Sequence, residues 1–149
     1  MIIVARTDPH DPQTTALLTA SHALMKNLFP PEDNFYLSID ALCADDIRFF
    51  TARENGIVLG TGALAIKDGY GEIKSMFVSE GARGRGVGDA LLRQIEDQAK
   101  TDFLRVLKLE TGNVLYAAHR LYARHGYITC SAFGDYTTAA SSIFMEKTL

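Results

Sequence analysis

The chain has 149 residues, 47% apolar and 22% charged, which is ordinary for a folded protein with one core and excludes disorder. A formal net charge of -3 and a pI near 5.8 give no general attraction to nucleic acid or anionic lipid, so neither is expected as a partner. No stretch approaches the ~18–20 apolar residues of a membrane span, and the apolar run Ile2-Ile3-Val4 is too short for a signal segment. The two cysteines, Cys43 and Cys130, lie far apart with no base nearby, so they read as reduced thiols in a cytoplasmic protein.

Ile2 to Arg6 reads as a first strand. Asp11 caps a helix with Pro12 at its first position, and the apolar spacing of Leu17, Leu18, His22, Leu24, Met25 and Leu28 carries it to Asn27, where Phe29-Pro30-Pro31 stops it. A second, short helix is expected from Ser38 to Ala44. The period then changes. Residues 47–53 are strand-like, Asn55-Gly56 is a hairpin signal, and 57–66 is the return strand, with Gly60 and Gly62 marking a bend or a close neighbour. A turn over 67–71 leads into a strand over 72–78, completing an antiparallel meander.

Beyond Gly88 the apolar ladder Val87, Leu91, Ile95 and Ala99 predicts an amphipathic helix, followed by a strand over 104–109 and hence a right-handed parallel crossover. A fourth helix is expected from Val114 to Arg124, with Leu115, Ala118, Leu121 and Tyr122 facing the sheet and Gly126 ending it. Tyr127 to Cys130 and Ser142 to Lys147 are closing strands. The whole is a single α+β domain over 1–149 whose sheet switches from antiparallel to parallel.

The chemistry concentrates in Arg83-Gly84-Arg85-Gly86-Val87-Gly88, between a strand and a helix. Glycines let the backbone approach a ligand, and the first turn of a helix offers unpaired N–H groups and a favourable dipole, so the segment is a cradle for phosphate. A P-loop would end in Gly-Lys-Ser/Thr, but here Gly88-Asp89-Ala90 follows. A dinucleotide fingerprint fails as well, because Asp89 or Leu91 falls where its third glycine belongs.

Arg83-x-x-Gly86-x-Gly88 after a strand ending Met76-Phe77-Val78 resembles the acetyl-CoA signature of the GNAT N-acetyltransferases. Leu109-Glu110-Thr111-Gly112, Ala118, Leu121-Tyr122 and Gly126-Tyr127 are similar to the next stretch of that superfamily, and Phe133-Gly134-x-Tyr136 and Ser142-x-Phe144-Met145-Glu146-Lys147 to the tails of small bacterial members. The resemblance implies an α/β/α layered fold, with a mixed, mostly antiparallel sheet of about seven strands, four helices and a splayed fourth and fifth strand. It implies acetyl-CoA as co-substrate and an amine acceptor attacking directly in a ternary complex. Cofactor contacts would fall on Met76, Phe77, Val78, Arg83, Gly84, Arg85, Gly86, Val87, Gly88 and Asp89. Where the family often has Asn or Gln this chain has Leu115, and Asn113 is the candidate substitute.

Tyr122 matches the family tyrosine that protonates the departing thiolate; its alternative is packing on the sheet. A lysine-like amine of pKa about 10.4 is mostly charged at pH 7, so a base is also needed. Glu72 stands eleven residues before Arg83, the spacing of a catalytic glutamate in the histone acetyltransferase branch, with ordered water or a substrate-orienting carboxylate as the alternatives. His119 is a weaker candidate, His125 reads as a helix-end cation, and their spacing suits no metal site, so no metal is expected. A non-catalytic acyl-CoA sensor on the same fold would need neither Tyr122 nor Glu72. The acceptor should be set by residues 22–45 and 131–141, whose His22, Asn27, Glu32, Asp33, Phe35, Tyr36 and Tyr136 are compatible with a cationic amine. A homodimer is carried as a candidate assembly.

Overall fold

Chain reversal at Asn55-Gly56, both with positive φ (52° and 78°), folds β2 (Ile47–Glu54) back onto β3 (Ile57–Ile66). A second turn brings β4 (Gly71–Val78) against the other side of β3, while β1 (Ile3–Arg6) pairs antiparallel with β2. The computed structural model describes residues 1–149, and in it α2 (Val87–Thr101) carries the chain over to β5 (Val106–Gly112), which runs parallel to β4. β7 (Ser142–Thr148) and β6 (Ile128–Cys130) complete a seven-stranded sheet in the order β1-β2-β3-β4-β5-β7-β6. The expected seven-stranded, mostly antiparallel sheet with one parallel pair is the observed one.

Helices cover both faces. On one lies α1 (Pro12–Leu28), where the Asp11 carboxylate accepts the Thr14 N–H at 3.1 Å and its hydroxyl at 2.9 Å, and Phe29, extended before Pro30, ends the helix. Leu18 packs there with Leu42, Ile47, Phe49, Ala63 and Ala65. On the other face lie α2 and α3 (Tyr116–Arg124). The ladder Val87, Leu91, Ile95 and Ala99 is buried to 1% or less against Phe50, Leu64, Ile73 and Leu107, and each large apolar side chain so buried contributes roughly 1.5–3 kcal/mol. Gly62 makes the close approach possible: a Cβ there would stand 2.7 Å from Met76 Sδ and 3.0 Å from Ile95 Cδ1.

Two helix expectations need correction. There are three α-helices, not four. The segment expected as a helix from Ser38 forms only a 3-10 turn at Ala41–Cys43; Ser38 Oγ does accept the Ala41 N–H at 3.1 Å, but Ala44 is already extended towards β2, too soon to offset helix nucleation. The last helix starts at Tyr116, not Val114, because Leu115 at its cap position has no side-chain acceptor for the first N–H groups.

The feature that matters most for a site is a break in the sheet. Thr61 pairs with Phe77 and Ala63 with Lys74, so Gly62 alone faces both Ser75 and Met76, a β-bulge with Ser75 at φ 55°. Pairing of β4 with β5 is confined to Gly71–Leu107, Glu72–Lys108 and Ile73–Leu109. From Lys74 onwards β4 has no partner on its β5 side, and the two strands part.

Candidate active site

The gap is flanked at one end by the glycine-rich segment. Gly84 and Gly86 hold φ of 77° and 81°, and Gly86 is the cap of α2. None of the backbone N–H groups from Gly84 to Asp89 is bonded within the chain, while Ala90 N already donates to Gly86 O at 3.0 Å. A Cβ added at Gly84 or Gly86 would meet nothing within 4 Å, so the backbone there lies open to an approaching ligand. Six free donors at a helix start fit a pyrophosphate.

Of the two arginines there, Arg85 is paired with Glu54 at 2.8 Å, and Arg83 makes no ion pair. The Asp89 carboxylate accepts from His125 Nε2 at 2.8 Å and Arg124 Nη2 at 3.1 Å, which hold its pKa below the usual value, the His125 bond foremost. Its side chain thus pins the start of α2 to the end of α3, and His125 serves this tie. Val87 is buried in the core, and Gly88 packs against Leu121.

On β4, Ser79 N donates to Leu59 O at 2.8 Å and Phe77 is registered with Thr61. The alternation of an antiparallel ladder then turns the Phe77 backbone towards β3 and leaves Val78 directed into the gap, with Met76 next to it in the bulge. Asn113 is otherwise engaged: its N–H donates to Ser141 O at 2.8 Å and its side chain to Ala140 O at 3.4 Å.

Where β4 and β5 part, a cavity of about 120 Å³ opens, bordered by Ile73, Lys74, Ser75 and Met76 of β4, Glu110 and Thr111 of β5, and Tyr122 of α3. Its outer wall comes from Met25 and Phe29 and from residues 33–36. The Tyr122 ring is buried, packs edge-on to Tyr127 with centroids 5.8 Å apart, and its hydroxyl has no hydrogen-bond partner in the chain. Burial, and secondly the Glu110 charge, push its pKa well above the usual phenol value.

Glu72 is not on this cavity. It is buried one layer behind, accepting the Tyr136 hydroxyl at 2.5 Å with Lys74 Nζ 3.5 Å away. The carboxylate that does border the cavity is Glu110, which accepts from Ser142 Oγ at 2.8 Å and whose pKa is raised, chiefly by burial. In the sequence Glu110 belongs to an alternating pattern: Lys108 and Glu110 alternate with Leu107 and Leu109, so they share the face opposite the core. His119 stands apart, its Nε2 2.8 Å from Gly112 O. No group of three or more His, Cys, Asp or Glu residues comes together as a metal site would require, and no helix is long and apolar enough to cross a membrane.

A sheet opened between parallel strands beside an N–H-rich helix start defines an acyl-CoA-dependent acyltransferase. Residues 15–127 match the Acetyltransferase (GNAT) family, and the chain belongs to it as an acetyl-CoA-dependent N-acetyltransferase. It is 41% identical to an IAA acetyltransferase of Azospirillum brasilense over 99% of this chain and 98% of that one. A crystal structure from Klebsiella pneumoniae subsp. pneumoniae, provisionally described as an acyl-CoA N-acyltransferase, is 32% identical and superposes with a TM-score of 0.84 over 100% of this chain and 98% of that one. The fold is also that of a GNAT family acetyltransferase from Elizabethkingia anophelis with acetyl-CoA bound, at 21% identity and a TM-score of 0.71 over 99% of this chain and 98% of that one.

Proposed function

We propose that the chain moves acetyl from acetyl-CoA to a primary amine held in the β4–β5 cavity, with Tyr122 as the acid and Glu110, rather than the sequestered Glu72, as the base. The observation that carries this reading is that Glu110 and Tyr122 border one cavity at the mouth of the gap. The N–H groups from Gly84 to Asp89, with Arg83, hold the pyrophosphate, and the main chain of Met76 and Val78 meets the pantetheine arm. Acetyl-CoA supplies an acyl carbon activated by its thioester.

Glu110 takes a proton from the bound ammonium, directly or through water, so that the amine nitrogen can bond to that carbon in a ternary complex. Its raised pKa narrows the gap to the amine's ~10.4 and makes it a better base than an exposed glutamate. As the carbon–sulfur bond breaks, the nitrogen gives up its second proton to water or to the departing thiolate, and the free Tyr122 hydroxyl donates a hydrogen bond to that sulfur. A thiol ordinarily has a pKa near 8.5, below that of this phenol, so complete proton transfer is uphill and Tyr122 acts chiefly as a hydrogen-bond donor. Both cysteines are free thiols, which supports a reducing, cytoplasmic setting.

Steady-state release of CoA, followed with Tyr122→Phe, tests the assignment. The expected loss is ~10²-fold in kcat, the lower end of the usual range for a positioned acid, with acetyl-CoA affinity retained. Wild-type turnover with a lowered melting temperature would make Tyr122 a packing residue.

A further inference from the structure

We propose that the acceptor is a small, free, cationic amine lacking a carboxylate of its own, bound in an anionic cavity that the fold roofs over against peptides. This rests on the acetyl-transfer reading above and names the substrate class of the same site. Two carboxylates, Glu110 and Asp33, border the cavity. Two residues that border it also hold buried oxygens without a hydrogen-bond partner in the chain, Asn34 Oδ1 and Ser75 Oγ. An ammonium group carries three donors and no acceptor, and would answer the two carboxylates.

The one cation at the cavity is already committed. Lys74 Nζ donates to Phe35 O at 2.9 Å and to Tyr136 Oη at 2.8 Å, and lies 3.5 Å from Glu72 Oε2. Its three N–H directions have three oxygens, which leaves none for a substrate carboxylate. An α-amino acid would therefore bring a second negative charge next to Asp33 and Glu110 without a partner, a costly arrangement away from bulk water.

The roof argues against a polypeptide. Ser141 Oγ donates to Asp33 Oδ2 at 2.6 Å, Lys74 ties Phe35 down from the sheet, and Phe35 packs edge-on to Tyr136 with centroids 5.3 Å apart. These contacts stitch residues 33–36 to 136–141 across the acceptor side, where a peptide would need an open groove. The space beneath is about 120 Å³. An enclosed apolar cavity of ~150 Å³ takes up benzene, so the space suits the body of a small amine. Met25, Phe29, Phe35 and Tyr36 give that body apolar walls.

The test compares amines with the amino acids from which they differ by one carboxylate. CoA release is measured with butylamine against norvaline, with benzylamine against phenylglycine, and with a peptide carrying a free N-terminal alanine and an internal lysine. The expected result is at least a tenfold higher kcat/KM for each amine than for its carboxylated partner, and negligible turnover of the peptide. Asp33→Asn, which can still accept from Ser141, should lower kcat/KM for butylamine about tenfold, mainly through KM, and narrow its lead over norvaline. Equal or better use of the amino acids or the peptide would overturn the proposal, and so would no turnover of either amine by a protein that acetyl-CoA still stabilises against heat. If acetyl-CoA gave no thermal stabilisation, the acetyl-transfer reading itself would fall.

Discussion

Glu110 is placed where its charge is costly to the fold and, in the proposed mechanism, useful to the reaction. Its folded pKa is raised above that of the unfolded chain, so the two states differ only above the unfolded value near 4.5. As pH rises past that value the unfolded chain ionises first, and the folded state loses relative stability until Glu110 itself has titrated. Glu110→Gln removes this cost. The variant should melt with the wild type near pH 4 and above it at pH 7, while kcat/KM at pH 7 falls by ~10²–10⁴-fold. In the wild type the acid limb of kcat/KM should sit above the ordinary carboxylate range. Melting curves at both pH values with kinetics on the same samples decide it; undiminished turnover in the glutamine variant would remove Glu110 from the mechanism. The helix that carries Tyr122 was legible from its place before Gly126. Glu72 had the more suggestive spacing, and only the structure shows it bonded to Tyr136 and beside Lys74, with Glu110 on the cavity instead.

Among the elements, α2 was the most legible, since its apolar ladder, cap glycine and preceding strand all point one way. Its start also permits a controlled test of the cradle. Gly86→Val forces a β-branched residue into φ 81°, at a cost of roughly 1–2 kcal/mol, and puts a side chain into open space beside the six unbonded N–H groups. Gly69 has φ 84° and equally open surroundings but lies in the turn before β4. Gly69→Val and Gly86→Val should therefore lose similar stability, and only the latter should lose acetyl-CoA binding, by more than tenfold in calorimetric titration. Parallel losses of affinity would show that strain, not the cradle, is being read. What the sequence obscured were the short and irregular pieces. The 3-10 turn at Ala41–Cys43 has a helix's cap without the length to continue, and the bulge at Ser75 depends on how β4 registers against Gly62, which no local pattern in 71–78 announces.

At the scale of the whole molecule the order of elements could be read along the chain, because each step follows from a local period or turn. The contacts between residues 33–36 and 136–141 could not, since Asp33 and Ser141 meet across 108 positions of sequence. The same long-range assembly makes acetyl-CoA a ligand of the folded chain alone: cradle, opened strand pair and α3 exist together only when the sheet is formed. Acetyl-CoA at about 100 times its Kd should then add ~2.7 kcal/mol to stability, and each further tenfold in concentration ~1.4 kcal/mol. For a chain of this size the first increment corresponds to roughly 5–10 °C in Tm. The two halves of the site can be separated by ligand. ADP offers the cradle its pyrophosphate but has nothing to lie in the gap, so at matched concentration it should stabilise far less than CoA. CoA in turn should approach acetyl-CoA, because the acetyl group adds only a few atoms at the Glu110 and Tyr122 end. Equal shifts from ADP and CoA would mean that the unpaired edge of β4 contributes nothing to binding and that the opening between β4 and β5 is not the pantetheine channel.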